Sequence, residues 1–401
     1  MTTQSLPARR SVSQLFLGWQ WLLYSYLLFA LPVEMLEASL VSLLLLIIAL
    51  VQKPGLISAA TRLQRQTWLL FLAFLLVGVV FSELPEKSLK GTYDCLRAAL
   101  VFFVGFFFIA HIASAKTFMV KLRNFSFVVL LIVMIFYVLS VFTTGDVSLR
   151  ENQWIYDRWR NLHEFANFVA IDVLVLGFMV RYRGIDRTLG FCLVMAVAIL
   201  VLTTSRGNLL AVTLSLGLVF AFGHRYRMLL WWSVVLASLV FFVYAFFFHS
   251  GTCFGSFCPG YTYEARKDIY QQLLWQVEVQ PWLGYGLNTF KYLSGILLEG
   301  KPIVMPNSVY LELLYSVGLI GGLFLMLFVA MMLRPAHSGS SPWRLFALTY
   351  MVYFLARGLV DFKLVSFEFL GGIFLALGLY TGAGYRDSAR LSDVAINDPA
   401  R

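Results

Sequence analysis

The chain has 401 residues, of which 60% are hydrophobic and 13% charged, with a net charge of +10. A soluble domain carries about 25% charged residues, so the charges here are too few to clothe 45.5 kDa of protein in water. The apolar residues come in long blocks rather than in alternation, which argues against a β-barrel and for an α-helical membrane bundle.

In chain order, the polar start Met1–Gln14 holds Arg9 and Arg10 and is followed by an apolar run. No small-residue cleavage site follows, so the run reads as an uncleaved first span. A span needs about 20 mostly apolar residues. Spans are predicted at 14–32, 36–52, 66–82, 93–113, 123–143, 163–181, 187–204, 208–223, 228–248, 308–333, 343–361 and 366–383. The fold expected is an all-α polytopic bundle of about twelve transmembrane helices. Its sections are residues 1–248 with nine spans, a long loop 249–307, residues 308–383 with three spans, and a tail 384–401.

Charge orients this map. With the N-terminus inside, the even loops hold Lys53, Arg62, Arg65, Lys116, Lys121, Arg123, Arg181, Arg183, Arg187, Arg225, Arg227, Arg334 and Arg344. The two termini add Arg9, Arg10, Arg386, Arg390 and Arg401. These are more than half of the 31 basic residues, as the positive-inside rule requires for cytoplasmic segments. The basic excess therefore reads as topology and contact with anionic lipid, not as nucleic-acid binding.

Three outer segments follow from the map: a short polar loop 83–92, a segment 144–162 with Arg150, Arg158 and Arg160, and the long loop 249–307. Within the long loop, residues 263–280 read as a helix along the membrane surface, with Ile269, Leu273, Leu274 and Val277 on one face. Cys253 and Cys258 lie in this loop, where an oxidising compartment makes a small disulfide the leading reading ahead of free thiols or a metal. Cys95 and Cys192 fall in spans and read as packing residues.

Arg206 follows span seven in LTTSRGNLLA, with Gly207 available for a tight turn. An arginine at the mouth of an apolar span is either a snorkelling side chain or an anion site. Arg266 opens the surface helix beside Lys267, where guanidinium and helix amides can hold phosphate oxygens, or where both charges are simply solvated. In PNSVYLELLYSVGLIGG, Pro306 and Asn307 suit a turn and a helix start, and Glu312 is an acid inside an apolar helix, more often structural than catalytic.

Four strings give a resemblance to the bacterial O-antigen ligase and O-antigen polymerase superfamily. TSRGNLLA resembles the family's arginine after a span, at Arg206. EARKDIYQQLLWQVEVQPWLGYGLNTF resembles its arginine-led helix and Pro-x-x-Gly-x-Gly turn, at Arg266, Pro281, Gly284 and Gly286. NSVYLELLYSVGLIG resembles its motif of a histidine followed by Asn, Ser or Gln and spaced small residues, and DRWRNLHEFANFVA its upstream pair, at Arg158 and Asn167. The family histidine falls at Asn307, which cannot take a proton near pH 7. Substitutes on the outer side are His163, His249, Glu264 and Asp268, each more readily read as structural.

The resemblance implies a GT-C-like glycosyltransferase of a bacterial inner membrane, with both termini cytoplasmic and a periplasmic active site. The donor would be a glycan on undecaprenyl pyrophosphate and the acceptor lipid A–core, in a setting of membrane lipids, with no nucleic acid. Arg206, Arg266 and Asn307 would be the catalytic set. Arg158, Asn167, Lys267, Ser308 and Tyr310 would bind substrate. No metal or other cofactor is implied, and no outer Asp-x-Asp pair is present to hold one. An O-antigen polymerase with the same donor is the first rival. A transporter or flippase is the second, for which Asp172 is the best mid-depth charge.

Overall fold

The structure is a computed structural model. It describes residues 21–31, 36–52, 55, 64–111, 115–144, 162–203, 205–221, 259–298, 301–303, 306, 308–334, 341–359 and 363–397. The helices are α1 (Trp21–Ala30), α2 (Leu36–Gln52), α3 (Arg65–Val80), α4 (Pro85–His111), α5 (Ala115–Thr144), α6 (Leu162–Arg183) and α7 (Arg187–Leu202). They continue with α8 (Arg206–Ala221), α9 (Pro259–Val279), α10 (Phe290–Leu293), α11 (Val309–Met332), α12 (Pro342–Arg357) and α13 (Phe367–Asn397). A minimal antiparallel hairpin, β1 (Leu297–Leu298) and β2 (Lys301–Pro302), lies between α10 and α11.

The protein is a helical membrane protein. Among the described residues five helices are long and apolar enough to cross a bilayer, and five further apolar helices are shorter. Predicted spans 36–52, 66–82, 163–181, 187–204, 208–223, 308–333 and 343–361 each fall on one helix within a few residues. Span 228–248 lies outside the described residues. Three helices outrun their apolar cores. Helix α4 begins at Pro85, inside the segment expected as a polar loop, with the ring at the first helical position where no amide is lost. Helix α5 begins at Ala115, and α13 continues into the expected tail as far as Asn397.

The chain divides into two compact units, Met1–Pro54 with His111–Thr204, and Gly55–Ala110 with Ser205–Arg401. In the first unit α6 packs against α5 and α7 and is buried on nearly all sides. Phe29 of α1 meets Phe125 and Phe168, with ring centroids 5.4 and 5.3 Å apart. The Asp186 carboxylate accepts a bond from the Leu189 amide at 2.7 Å and so starts α7. It also meets Arg123 at 3.8 Å, which joins two of the loops predicted to be cytoplasmic at one end of the unit.

The second unit is built on an aromatic core of Trp68, Phe71, Phe102, Phe328 and Phe374, contributed by α3, α4, α11 and α13. Helices α4 and α13 lie so close that a methyl group added at Gly378 would strike the Phe102 carbonyl, the close approach small residues allow between membrane helices.

One feature organises this unit. Helix α11 is broken at Gly318, whose φ of 61° and ψ of −165° interrupt the helical ladder. Broken backbone inside a membrane bundle must find its hydrogen bonds within the protein. Here the turn after α9 supplies them. Leu319 and Ile320 donate to the carbonyls of Pro281 and Trp282, at 2.8 and 3.1 Å. Tyr285 and Gly286 donate to the carbonyls of Tyr315 and Ser316, both at 2.8 Å. The glycines are reciprocal: a Cβ at Gly318 would lie 2.4 Å from the Trp282 carbonyl, and one at Gly284 would lie 2.6 Å from the Tyr315 carbonyl oxygen. Both have positive φ, a region costly for any other residue.

Candidate functional site

Helix α8 starts at Arg206, after a connection of three residues. Gly207 lies in its first turn, inside the helix and not in the turn before it where it was expected. Asn208 is fully buried. Its amide donates to the Ser205 hydroxyl at 3.0 Å, and its carbonyl accepts from the Tyr353 hydroxyl at 2.7 Å. The start of α8 is therefore tied to the last turns of α12.

The same end of α12 holds the start of α11. The Val309 amide donates to the Gly358 carbonyl at 2.8 Å, and the Tyr310 hydroxyl to the Leu355 carbonyl at 2.7 Å. The Glu312 carboxylate, 5% exposed, accepts from the Leu364 amide at 2.7 Å through Oε2. Three bonds thus tie Leu355 and Gly358 at the end of α12, and Leu364, to the first turn of α11. Val309 cannot reach back four residues for a helical partner, so the Gly358 carbonyl satisfies an amide that every helix start leaves open.

Arg357 is the last residue of α12 and is 2% exposed. It is one turn beyond Tyr353, the residue that holds Asn208, and directly before Gly358, the residue that holds Val309. A buried guanidinium is costly in a membrane bundle and is a candidate for a functional site. Sequence reasoning missed it because FLARGLVDF reads as an ordinary interfacial arginine at a span end. Its only signal was its place four residues after a tyrosine in an apolar helix.

Helix α9 enters from the side. Ile269 and Leu273 pack with Tyr315 of α11 and with Phe290 and Ile296. The Tyr285 ring stacks on Tyr315 at 4.7 Å, and its hydroxyl donates to the Gln276 carbonyl at 3.1 Å. Burial, with the Glu83 carboxylate beside it, raises the Tyr285 phenol above its ordinary pKa and keeps that donor protonated. At the far end Gln280 donates to Glu83 at 2.9 Å. Leu274, expected on the packed face, is 45% exposed, and the packed face instead follows Ile269, Leu273 and Val277. A step of one residue turns a helix by about 100°, which carries Leu274 off the stripe that Leu273 occupies.

The predicted site residues are placed as follows. Arg206 is the first residue of α8, and Arg266 lies in α9, three positions before buried Ile269. Lys267 and Asp268 of α9 are exposed. Ser308 is buried at the N-cap position of α11, without a capping bond from its hydroxyl. The Tyr310 hydroxyl is engaged by Leu355. Asn167 is buried in α6 of the first unit. Asn307, Arg158, His249 and the Cys253–Cys258 pair lie outside the described residues. Helices α8, α11 and α12 thus bring Arg206, Ser308, Tyr310 and Arg357 to one end of the second unit, and α9 packs Arg266's helix onto the same α11. Cys95 and Cys192 are buried free thiols, as packing residues should be.

Residues 191–326 match the family model described as O-antigen ligase. A comparison with curated proteins finds no match. The matched segment includes Arg206, Arg266, Asn307 and the break at Gly318, and it ends before Arg357.

Proposed function

We propose, from the O-antigen ligase match over residues 191–326, that this chain is a membrane glycosyltransferase that moves a glycan from undecaprenyl pyrophosphate to a sugar of lipid A–core. The work would be done at the periplasmic face of a bacterial inner membrane. The observation that carries the reading is the convergence of the α8 start, the α11 start and the α12 end within the second unit.

Three arginines belong to these elements or to the helix packed on them: Arg206, Arg266 and Arg357. A lipid pyrophosphate becomes more negative as its bond to the sugar breaks, and fixed guanidinium groups stabilise that charge. Planar guanidinium forks also match phosphate oxygens in pairs. Asn307 and Ser308, at the start of α11, would orient the acceptor hydroxyl or the anomeric centre. Lys267, exposed on α9, would meet the outer phosphate or the glycan.

The polymerase reading shares the donor and the cation site. It differs only in the acceptor, a second lipid-linked repeat, and the departure at Asn307 keeps it in view. The test is reconstitution of the purified protein with lipid-linked glycan and either lipid A–core or further lipid-linked repeat. Glycan attached to core supports the ligase, and chain growth supports the polymerase. Vesicle transport with no covalent product would sink both.

A further inference from the structure

Transfer of a sugar to a hydroxyl releases a proton, and Asn307 cannot accept it. We infer that Glu312 is the proton acceptor, in a step that rests on the transferase reading above. Glu312 lies in the first turn of α11. Its amide donates to the Ser308 carbonyl at 3.0 Å, so it sits one turn below Ser308 on the same face. One helical turn is about 5.4 Å. An acceptor hydroxyl held at the α11 start reaches the carboxylate directly or over one water, the distance that general-base transfer requires.

The carboxylate is fixed for this purpose. The Leu364 amide binds Oε2 at 2.7 Å, and the residue is 5% exposed. The proton therefore goes to Oε1. Lys363, beside that amide, is the charged neighbour that acts on it, and the neutral Cys95 thiol of α4 lies within reach of the Glu312 charge. The step balances simply. The acceptor O–H bond breaks and its proton passes to the Glu312 carboxylate. The acceptor oxygen bonds to the anomeric carbon, and the bond from that carbon to the pyrophosphate oxygen breaks. The electron pair leaves on the lipid pyrophosphate, against the arginines.

A purely structural carboxylate at this position would only receive the Leu364 amide, and a glutamine carbonyl does the same. Glu312→Gln therefore separates the roles. The full chain in nanodiscs, with lipid-linked glycan and whichever acceptor the wild type uses, should show kcat lowered about 10²-fold or more, with KM for the donor unchanged. The wild-type rate should fall at low pH as the carboxylate takes up a proton, and the Gln variant should lose that fall. Adding Asn307→His to Glu312→Gln should restore at least about tenfold, by supplying a base one turn away. Wild-type kcat and an unchanged pH profile in the Gln variant would overturn the inference. If the Gln variant does not fold, Glu312→Asp decides, since it should shift the acid limb along the pH axis and an unshifted limb overturns the role. A wild type that transfers glycan to neither acceptor would sink the transferase reading itself, a result no Glu312 variant can mimic.

Discussion

Among the described residues each unit buries one carboxylate inside an apolar helix, and the two are placed differently. Asp172 lies at the middle of α6 in the first unit, fully buried, and accepts a hydrogen bond from the Ser126 hydroxyl of α5. Among the described residues its Oδ2 has no hydrogen-bond partner. Glu312 lies in the first turn of α11 in the second unit, bound by the Leu364 backbone amide. Asp172 falls outside the segment that matches the O-antigen ligase family, and Glu312 falls inside it. Burial alone does not mark chemistry. The proposal gives chemistry to the carboxylate beside the starts of α8 and α11 and the buried Arg357, and packing to the one that meets a hydroxyl in the middle of a helix pair.

The comparison can be broken by substitution. The largest effect is expected at the cations. Arg206→Ala or Arg266→Ala should lower transfer in reconstituted protein by about 10²–10³-fold, the scale of losing one fixed donor to a developing anion. Normal expression and a normal melting curve should accompany the loss. Arg357→Met should follow, with a loss of about 10²-fold, and Arg357→Lys should recover only part because an ammonium cannot make the paired contact. Next comes the break in α11. Gly318→Ala forces a side chain into the Trp282 backbone at a positive φ, so the folded protein should lose at least about 1–3 kcal/mol. Melting in detergent measures this, and Gly284→Ala should behave alike. The smallest effect is expected in the first unit. Asp172→Asn keeps an acceptor for Ser126 and should leave transfer within about threefold of wild type. A loss as deep as that of Arg206→Ala would erase the distinction drawn between the two carboxylates.

Much of the helical architecture was legible, because membrane helices announce themselves as apolar blocks of the right length. Helix α2 matches its expected range, and α6, α7, α8, α11 and α12 differ by a few residues. The start of α4 was misread. Its first eight residues, PEKSLKGT, look like a hydrated loop, yet they are helical, and Ser88 donates to the Leu287 carbonyl of the turn after α9. A partner 199 residues away in sequence is not visible in local composition. The break at Gly318 was hidden for the same reason. VGLIGG inside an apolar run reads as an ordinary flexible span, and only the docking of Pro281–Gly286 explains why the helix must open there. Among the residues proposed for the site, Arg206 and Arg266 are named from motif spacing, because an arginine at a span end or helix start is chemically conspicuous. Arg357 could not. Its meaning depends on Tyr353 reaching Asn208 across 145 residues of chain.

The proposed site rests on arginines at this end of the second unit binding a lipid pyrophosphate. The most direct measurement is the affinity of undecaprenyl pyrophosphate, without glycan, for the protein in nanodiscs, compared among wild type, Arg206→Ala and Asp172→Asn. The account predicts a loss of at least about tenfold in Arg206→Ala, the scale of one charge-assisted contact, and none in Asp172→Asn. Equal affinity in wild type and Arg206→Ala would contradict it.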